Sequence, residues 1–184
     1  MRTGGYLPPM DLRRAARDPW VWGQLALFLV VGLVAPLLPR HVSLGVLDPV
    51  LNRIDPVGVR RLGWLPAAGG LAVALWGVRS LGQSLTPGTE PLPGAPLVLS
   101  GAYAQVRHPI YLGIVLLLAG YTLLWSNWTV ALAIGLVALG YFEGKARAEE
   151  RWLTARYPGY AEYMRRVRRR VMLRSSGVNP PRPA

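Results

Sequence analysis

Two small groups of polar residues stand against long apolar runs in the second half of this chain. Arg107, His108 and Pro109 directly precede a run that begins at Ile110, and Glu149 and Glu150 follow a second run that ends at Phe142. Proline fits the first turn of a helix, where its missing N–H is not needed, and it holds the residue before it extended. The helix start behind Pro109 therefore presents free N–H groups and partial positive charge. With Arg107 beside it, that is a place for a carboxylate or phosphate. Glu149 and Glu150 offer the complement, acceptors for hydroxyls or for an ammonium. A ligand with an anionic end plus hydroxyls or a cationic centre suits the two groups together. Each residue also has a plain structural reading. Arg107 can snorkel to lipid phosphate, and His108 can cap a helix. Glu143–Arg147 and Lys145–Glu149 stand four apart, and such helical pairs contribute about 0.2–0.5 kcal/mol each. Taken jointly, at this spacing, the residues point to a site.

The elements around them must bring the two groups together. Residues 110–125 and 128–142 are apolar, with Ser126 and Asn127 between them. Each leg of about 16 residues rises roughly 24 Å as a helix, a little short of a bilayer core. The pattern predicts a tight helical hairpin that returns Glu149 and Glu150 to the membrane face where Arg107 and His108 begin. Upstream, residues 20–38 and 62–82 read as two further spans, the second with a small-residue cluster at Ala67–Gly70 that permits close helix contact. Gly120, Gly135 and Gly140 read as helix-packing positions in the hairpin. Residues 83–100 are proline- and glycine-rich, a stiff loop. The expected organisation is an N-terminal segment over 1–19, two spans with a polar connection over 20–82, a functional core over 83–170 and a flexible tail over 171–184. The expected fold is an all-α, multi-pass membrane helical bundle of about four spans, with a cytoplasmic pocket.

Composition agrees with membrane insertion. Of 184 residues, 52% are hydrophobic and 16% charged, against about a quarter charged in soluble domains. No cysteine is present and His41 and His108 are the only histidines, which excludes thiolate chemistry and leaves no basis for a metal site. The net charge of +12 lies beside apolar spans, so it suits anionic lipid and not nucleic acid. Of 21 basic residues, 11 fall from Lys145 onward and four precede the first span. The positive-inside rule then puts both termini in the cytoplasm, in a bacterial inner membrane, with no secretory cleavage pattern at the start. Tyr157, Tyr160 and Tyr163 read as a stripe packing on the membrane interface, and the basic run 165–170 as a lipid anchor.

The stretch "SGAYAQVRHPIYLG", an apolar hairpin, and then "EERWLTARYPGYAEYMRRV" together resemble the isoprenylcysteine carboxyl methyltransferase and phospholipid methyltransferase group. The resemblance covers about residues 84–170 and finds no match over 1–60. It implies an integral-membrane enzyme that uses S-adenosylmethionine. Tyr103, His108, Pro109, Ile110 and Tyr111 would line the cofactor pocket, with Leu97 and Val98 from the preceding loop. Gly101 and Gly113 would allow backbone to approach backbone or ligand. Glu149 or Glu150 would hold ribose hydroxyls or the amino group, and Arg107 the methionine carboxylate. Arg147 would orient an anionic substrate, and Glu150 would give any base help needed. Tyr103 and Tyr111 could hold the sulfonium by cation–π contact. The acceptor is a lipophilic small molecule or lipid entering laterally between helices, with carboxylate, amine and thiol open. Two alternatives stand beside this: an NADPH-dependent membrane reductase of the sterol-reductase type, and a non-enzymatic membrane subunit that keeps the fold.

Overall fold

The computed structural model describes residues 16–37 and 56–173. Helix α1 runs Pro19–Val34 and continues as a 3-10 turn over Ala35–Leu37; α2 is Pro56–Arg61, α3 Trp64–Leu81, α4 Pro109–Trp125, α5 Trp128–Arg156 and α6 Tyr160–Arg166. No strand occurs among the described residues. The expected polar connection lies mostly outside these residues, as do the start of the N-terminal segment and the end of the tail.

Helix starts follow local chemistry. Asp18 caps α1 by accepting the Trp20 N–H at 2.9 Å, with Pro19 in the first turn. The hairpin turn is Ser126–Asn127, both buried, and Asn127 caps α5 by accepting the Val130 N–H at 2.9 Å. Pro109 opens α4 as expected, but His108 makes no capping hydrogen bond with its side chain. The imidazole is used elsewhere.

The second hairpin leg is longer than the apolar pattern. Hydropathy falls after Phe142, yet Glu, Lys, Ala and Arg are good helix formers, and α5 runs 29 residues to Arg156. At 1.5 Å per residue that is about 44 Å, which exceeds a bilayer core of about 30 Å. The polar second half of α5 therefore runs on past the apolar stretch, with its first turns still meeting α1 at Trp20 and Gln24 and α4 at Tyr111.

The closest packing is between α3 and α4, and glycine makes it. Gly63, Gly70 and Gly77 of the α3 strip recur every seven residues, as do Gly113 and Gly120 of α4. A Cβ on Gly113 would stand 2.5 Å from both Gly70 O and Ala74 N, and one on Gly70 would stand 2.5 Å from Gly113 O. Gly113 is thus a helix–helix contact. Of the other expected packing positions, Gly120 meets the Ala67 backbone, Gly135 makes ordinary contact with Ala119, and Gly140 faces open space. A small core of Val31, Ala35, Val115, Leu118, Ala138 and Phe142 ties α1, α4 and α5 together. Large apolar side chains face outward on α1 (Leu25, Leu29), α3 (Trp64, Leu65) and α5 (Leu132, Leu136). Helices Pro19–Leu37 and Trp128–Arg156 are long and apolar enough to cross a membrane, and α4 is a shorter apolar helix. A helical membrane protein accounts for that exterior.

Two chain segments close over the hairpin base. The 82–108 connection is pinned to α1 where Thr89 N and Oγ1 donate to Asp18 Oδ2 at 2.6 and 2.9 Å, and to the far end where Tyr157 OH donates to Ala95 O at 2.6 Å. Its last turn needs glycine: Gly101 has φ +63°, and a Cβ there would meet Ser80 Oγ at 2.5 Å. The C-terminal segment returns from α6. Arg107 N donates to Arg169 O at 3.0 Å and His108 N to Arg170 O at 2.9 Å. Val171 is buried, and Val171 N and Leu173 N both donate to Glu143 Oε1 at 3.3 Å. Residues 171–173, expected to begin a flexible tail, are part of the packed structure.

Candidate active site at the hairpin base

The hairpin brings the two polar groups together, and the two glutamates part company. Glu150 is buried and both its oxygens are engaged by the protein. Oε1 accepts from Arg107 Nε at 2.7 Å and lies 3.3 Å from His108 Nε2, and Oε2 accepts from Arg170 Nε at 2.8 Å. Arg107 also donates to Val167 O at 2.8 Å, and Arg170 to Glu143 Oε2 at 3.3 Å. Glu149, one residue earlier, points the other way. Its Oε2 accepts from Tyr111 OH at 2.8 Å and lies 3.5 Å from His108 Nδ1, while Oε1 meets no donor among the described residues.

Between the two carboxylates lies His108, stacked on Tyr111 at 5.2 Å with the rings 4° apart. Burial pulls the imidazole pKa down, but Glu149 and Glu150 outweigh burial and hold it up at about 9. The ring is therefore an imidazolium at neutral pH and donates to both neighbours. Burial pushes the Tyr103 phenol up, so it stays protonated.

Two chambers adjoin here. The larger, of about 280 Å³, is lined by Gln24, Leu81, Ile110, Tyr111, Ile114 and Lys145 among others. The smaller, of about 70 Å³, is lined by Leu97, Val98, Arg107, Leu153, Tyr157, Tyr160 and Tyr163 among others. Leu81, Thr86, Tyr103, His108 and Glu149 line both. The shared wall thus carries a phenol, an imidazolium and a half-satisfied carboxylate.

Leu97, Val98, Tyr103, Arg107, His108, Ile110, Tyr111 and Glu149 all line one chamber or both. Pro109 is buried against α3 at Gly77, and Gly113 lies further along the same contact. Glu150 sits behind the wall. Arg147 is exposed and lines neither chamber. The i,i+4 pairs expected on α5 are not made: Glu143 turns to Arg170 and the 171–173 backbone, and Glu149 to Tyr111 and His108.

Three features of the site lay outside the sequence reading. Arg170, read as part of a lipid anchor, is buried, whereas Arg168 and Arg169 are exposed. Tyr160 and Tyr163, read as facing the membrane interface, are buried at 2% exposure each, because the Pro158–Gly159 turn folds α6 back over the chamber. Lys145 lines the larger chamber. The Glu–x–Lys spacing on α5 was the one signal available for it. Among the described residues no cluster of His, Cys, Asp or Glu is disposed to bind a metal.

Residues 67–155, which hold α3, the hairpin and both glutamates, match the model of the isoprenylcysteine carboxyl methyltransferase family. The likeness to that family spans just under half of the chain. Among curated proteins, a protein-S-isoprenylcysteine O-methyltransferase of Schizosaccharomyces pombe is 33% identical over 72 residues, 39% of this chain and 30% of the relative. A cobalt-zinc-cadmium resistance protein, CzcN, of Cupriavidus metallidurans is 33% identical over 71 residues, again 39% of this chain and 33% of the relative. The chain thus spans about a third of the length of the curated relatives it matches. The isoprenylcysteine carboxyl methyltransferase match covers the lining of both chambers apart from Gln24, Tyr157, Tyr160 and Tyr163.

Proposed function

We propose that this protein is a membrane-integral methyltransferase that takes its methyl group from S-adenosylmethionine and passes it to a lipophilic acceptor. The observation that carries the reading is the pair of adjoining chambers at the base of an apolar hairpin, joined through Tyr103, His108 and Glu149. The larger chamber is lined by Gln24 of α1 and Ile110 and Ile114 of α4, and the smaller by Tyr160 and Tyr163 of α6, so donor and acceptor would meet at the wall the two share.

The residues present fit such a donor. Its ammonium and sulfonium need an acceptor and electron-rich faces, and Glu149 Oε1 is a carboxylate oxygen with no donor among the described residues, on a largely buried wall. Tyr103, Tyr157 and Tyr160 present aromatic rings beside it. Leu97, Val98 and Leu153 offer apolar surface for a base. Bound there, S-adenosylmethionine would supply an electrophilic methyl. In-line displacement then asks the protein mainly for position and electrostatics. Tyr111 and His108 fix the Glu149 carboxylate by hydrogen bonds, and His108 is itself fixed by stacking on Tyr111. Glu150 acts as a positioning residue, holding Arg107, His108 and Arg170 together behind the wall. The loop over the chambers is held at both ends, by Thr89 to Asp18 and by Tyr157 to Ala95.

Calorimetry on the purified protein with S-adenosylhomocysteine and, separately, NADPH tests this. Micromolar binding of S-adenosylhomocysteine that weakens about tenfold or more in Glu149→Gln, with NADPH not bound, is expected. Binding of NADPH alone would establish the reductase. Binding of neither in a folded sample would mean a silent pocket.

A further inference from the structure

The segment after α6, residues 167–173, lies outside any helix and has two unlike sides. Its inner side is fixed to the hairpin base. Arg169 O and Arg170 O accept the N–H groups of Arg107 and His108 at 3.0 and 2.9 Å, and Val167 O accepts from the Arg107 guanidinium at 2.8 Å. The Arg170 side chain enters between Glu143 and Glu150, and Val171 N and Leu173 N donate to Glu143 Oε1. All of these contacts join the segment to the start of α4 or to α5, so the docked segment is itself part of the wall behind the chambers.

The outer side carries Arg168, Arg169, Met172 and Leu173, all exposed. Arg165 is held by Glu162, whose carboxylate also acts on Arg166. No carboxylate among the described residues pairs with Arg168 or Arg169. Position decides what they meet. Arg107 and His108 stand immediately before Pro109, where apolar α4 begins. A segment hydrogen-bonded to their backbone therefore lies at the level where that helix passes from headgroups into hydrocarbon. Two guanidinium groups followed by two apolar side chains suit that boundary, the cations reaching lipid phosphate and Met172 and Leu173 the acyl layer. A free anion would find no enclosure there, since neither arginine lines a chamber.

We propose that residues 167–173 make the site responsive to membrane charge: anionic headgroups engage Arg168 and Arg169 and so hold the segment against Arg107, His108 and Glu143. The link is short, because Arg169 offers its side chain to the lipid and its carbonyl to Arg107. A partner that favours the docked form shifts the equilibrium toward docking. Release would instead bare Glu143 and Glu150 toward the same negative surface, which opposes it. One basic residue near such a surface is worth roughly a fivefold preference, so the pair should favour docking by about tenfold or more. The proposal stands on the fold and does not depend on the reaction that the chambers host.

Hydrogen exchange on the full chain in nanodiscs tests it, with phosphatidylcholine alone compared against phosphatidylcholine mixed with phosphatidylglycerol. The amides of Arg107, His108, Val171 and Leu173 report docking directly, since each donates across the junction. Their exchange should slow by about tenfold or more in the anionic discs, and the slowing should fade at high salt. Arg168→Gln combined with Arg169→Gln should remove the slowing yet match the wild type in phosphatidylcholine, because neither side chain has an ion-pair partner to lose among the described residues. Arg151→Gln combined with Arg156→Gln takes the same charge from exposed positions on α5 and should keep the slowing. Inorganic phosphate added to phosphatidylcholine discs should leave exchange unchanged. Equal exchange in the two lipids would overturn the proposal, as would faster exchange in the anionic one, which would mean that lipid draws Arg170 out of its cluster. So would a slowing that survives in the Arg168–Arg169 variant or is lost equally in the Arg151–Arg156 variant. Phosphate reproducing the effect would make this face a site for a free anion and overturn it too.

Discussion

At the scale of single residues, the adjacent glutamates answer to different demands, and their variants should separate. Glu150 neutralises Arg107, Arg170 and His108 in a buried cluster. Removing one partner of a buried ionic cluster costs about 3–5 kcal/mol, because the other charges stay behind unpaired. Glu150→Ala should therefore unfold at markedly lower temperature and lose ligand binding with the fold. Glu149→Gln should lose binding with a smaller fall in melting temperature, since Tyr111 OH can donate to the amide oxygen and His108 keeps Glu150. Equal melting losses in a detergent thermal scan would show that the division is misplaced. His108 gives a pH signature. Its folded pKa of about 9 lies above the ordinary 6.5. The protonated ring thus contributes stability that is fully present below about pH 6.5 and is lost as pH rises through about 9. Melting temperature should fall by several degrees over that window, and the fall should flatten in His108→Gln. In a His41→Gln background, the single remaining histidine signal by NMR should titrate near 9 in the wild-type site. A titration near 6.5 would mean that the carboxylates do not face the ring. Which glutamate faces the chamber was not legible in "AEER": adjacent helical positions differ by about 100° of rotation, and only the surrounding helices decide which side is inside.

At the scale of helices, hydropathy located the hairpin, its two-residue turn and the proline that opens α4, because each is a local signal. The true end of α5 was hidden because an apolar run ends where the membrane does, while a helix ends where its hydrogen bonds do. Helix contact was legible in part. Ala67–Gly70 signalled close approach, but Gly120, Gly135 and Gly140 looked alike. The seven-residue recurrence of Gly63, Gly70 and Gly77 against Gly113 and Gly120 separates them, since seven residues is two helical turns and returns to nearly the same face. Gly113→Ala and Gly120→Ala would drive a methyl into the α3 backbone, which cannot move aside as a side chain can. Overpacking of this kind costs about 1–3 kcal/mol or more. Gly140→Ala meets nothing within 4 Å and should be neutral or slightly stabilising, given alanine's helix preference of about 1 kcal/mol over glycine. Thermal unfolding of the three variants side by side checks the ranking. A Gly140→Ala variant as damaged as Gly120→Ala would move the tight contact away from α3.

At the scale of the molecule, a basic chain of net charge +12 divides its arginines between lipid and interior, and the division is sharpest in the run 165–170. Arg165, Arg166, Arg168 and Arg169 are exposed, while Arg170 is buried between Glu143 and Glu150. Nothing in "RRVRRR" marks one arginine as different, because its partners lie 20 and 27 residues away on α5. The pairing closes the fold. The chain leaves the hairpin base along α5, turns through α6 and returns to hydrogen-bond beside Arg107 and His108, so that the segment after α6 locks the start of α4 to the end of α5. Two substitutions of equal charge should then behave as opposites. Arg170→Ala leaves two buried carboxylates short of a partner and should lower stability by about 3 kcal/mol or more, with ligand binding lost as the wall loosens. Arg168→Ala should leave melting and binding unchanged and weaken association with anionic membranes by about 1 kcal/mol, the attraction of one basic residue near such a surface. Melting temperature and co-sedimentation of the protein's 160–173 peptide with phosphatidylserine vesicles measure the two effects separately, since the peptide alone has no Glu143 or Glu150 to bind. If Arg170→Ala melts like the wild type, the C-terminal segment does not close the site, and the carboxylates it was taken to neutralise must find their charge elsewhere.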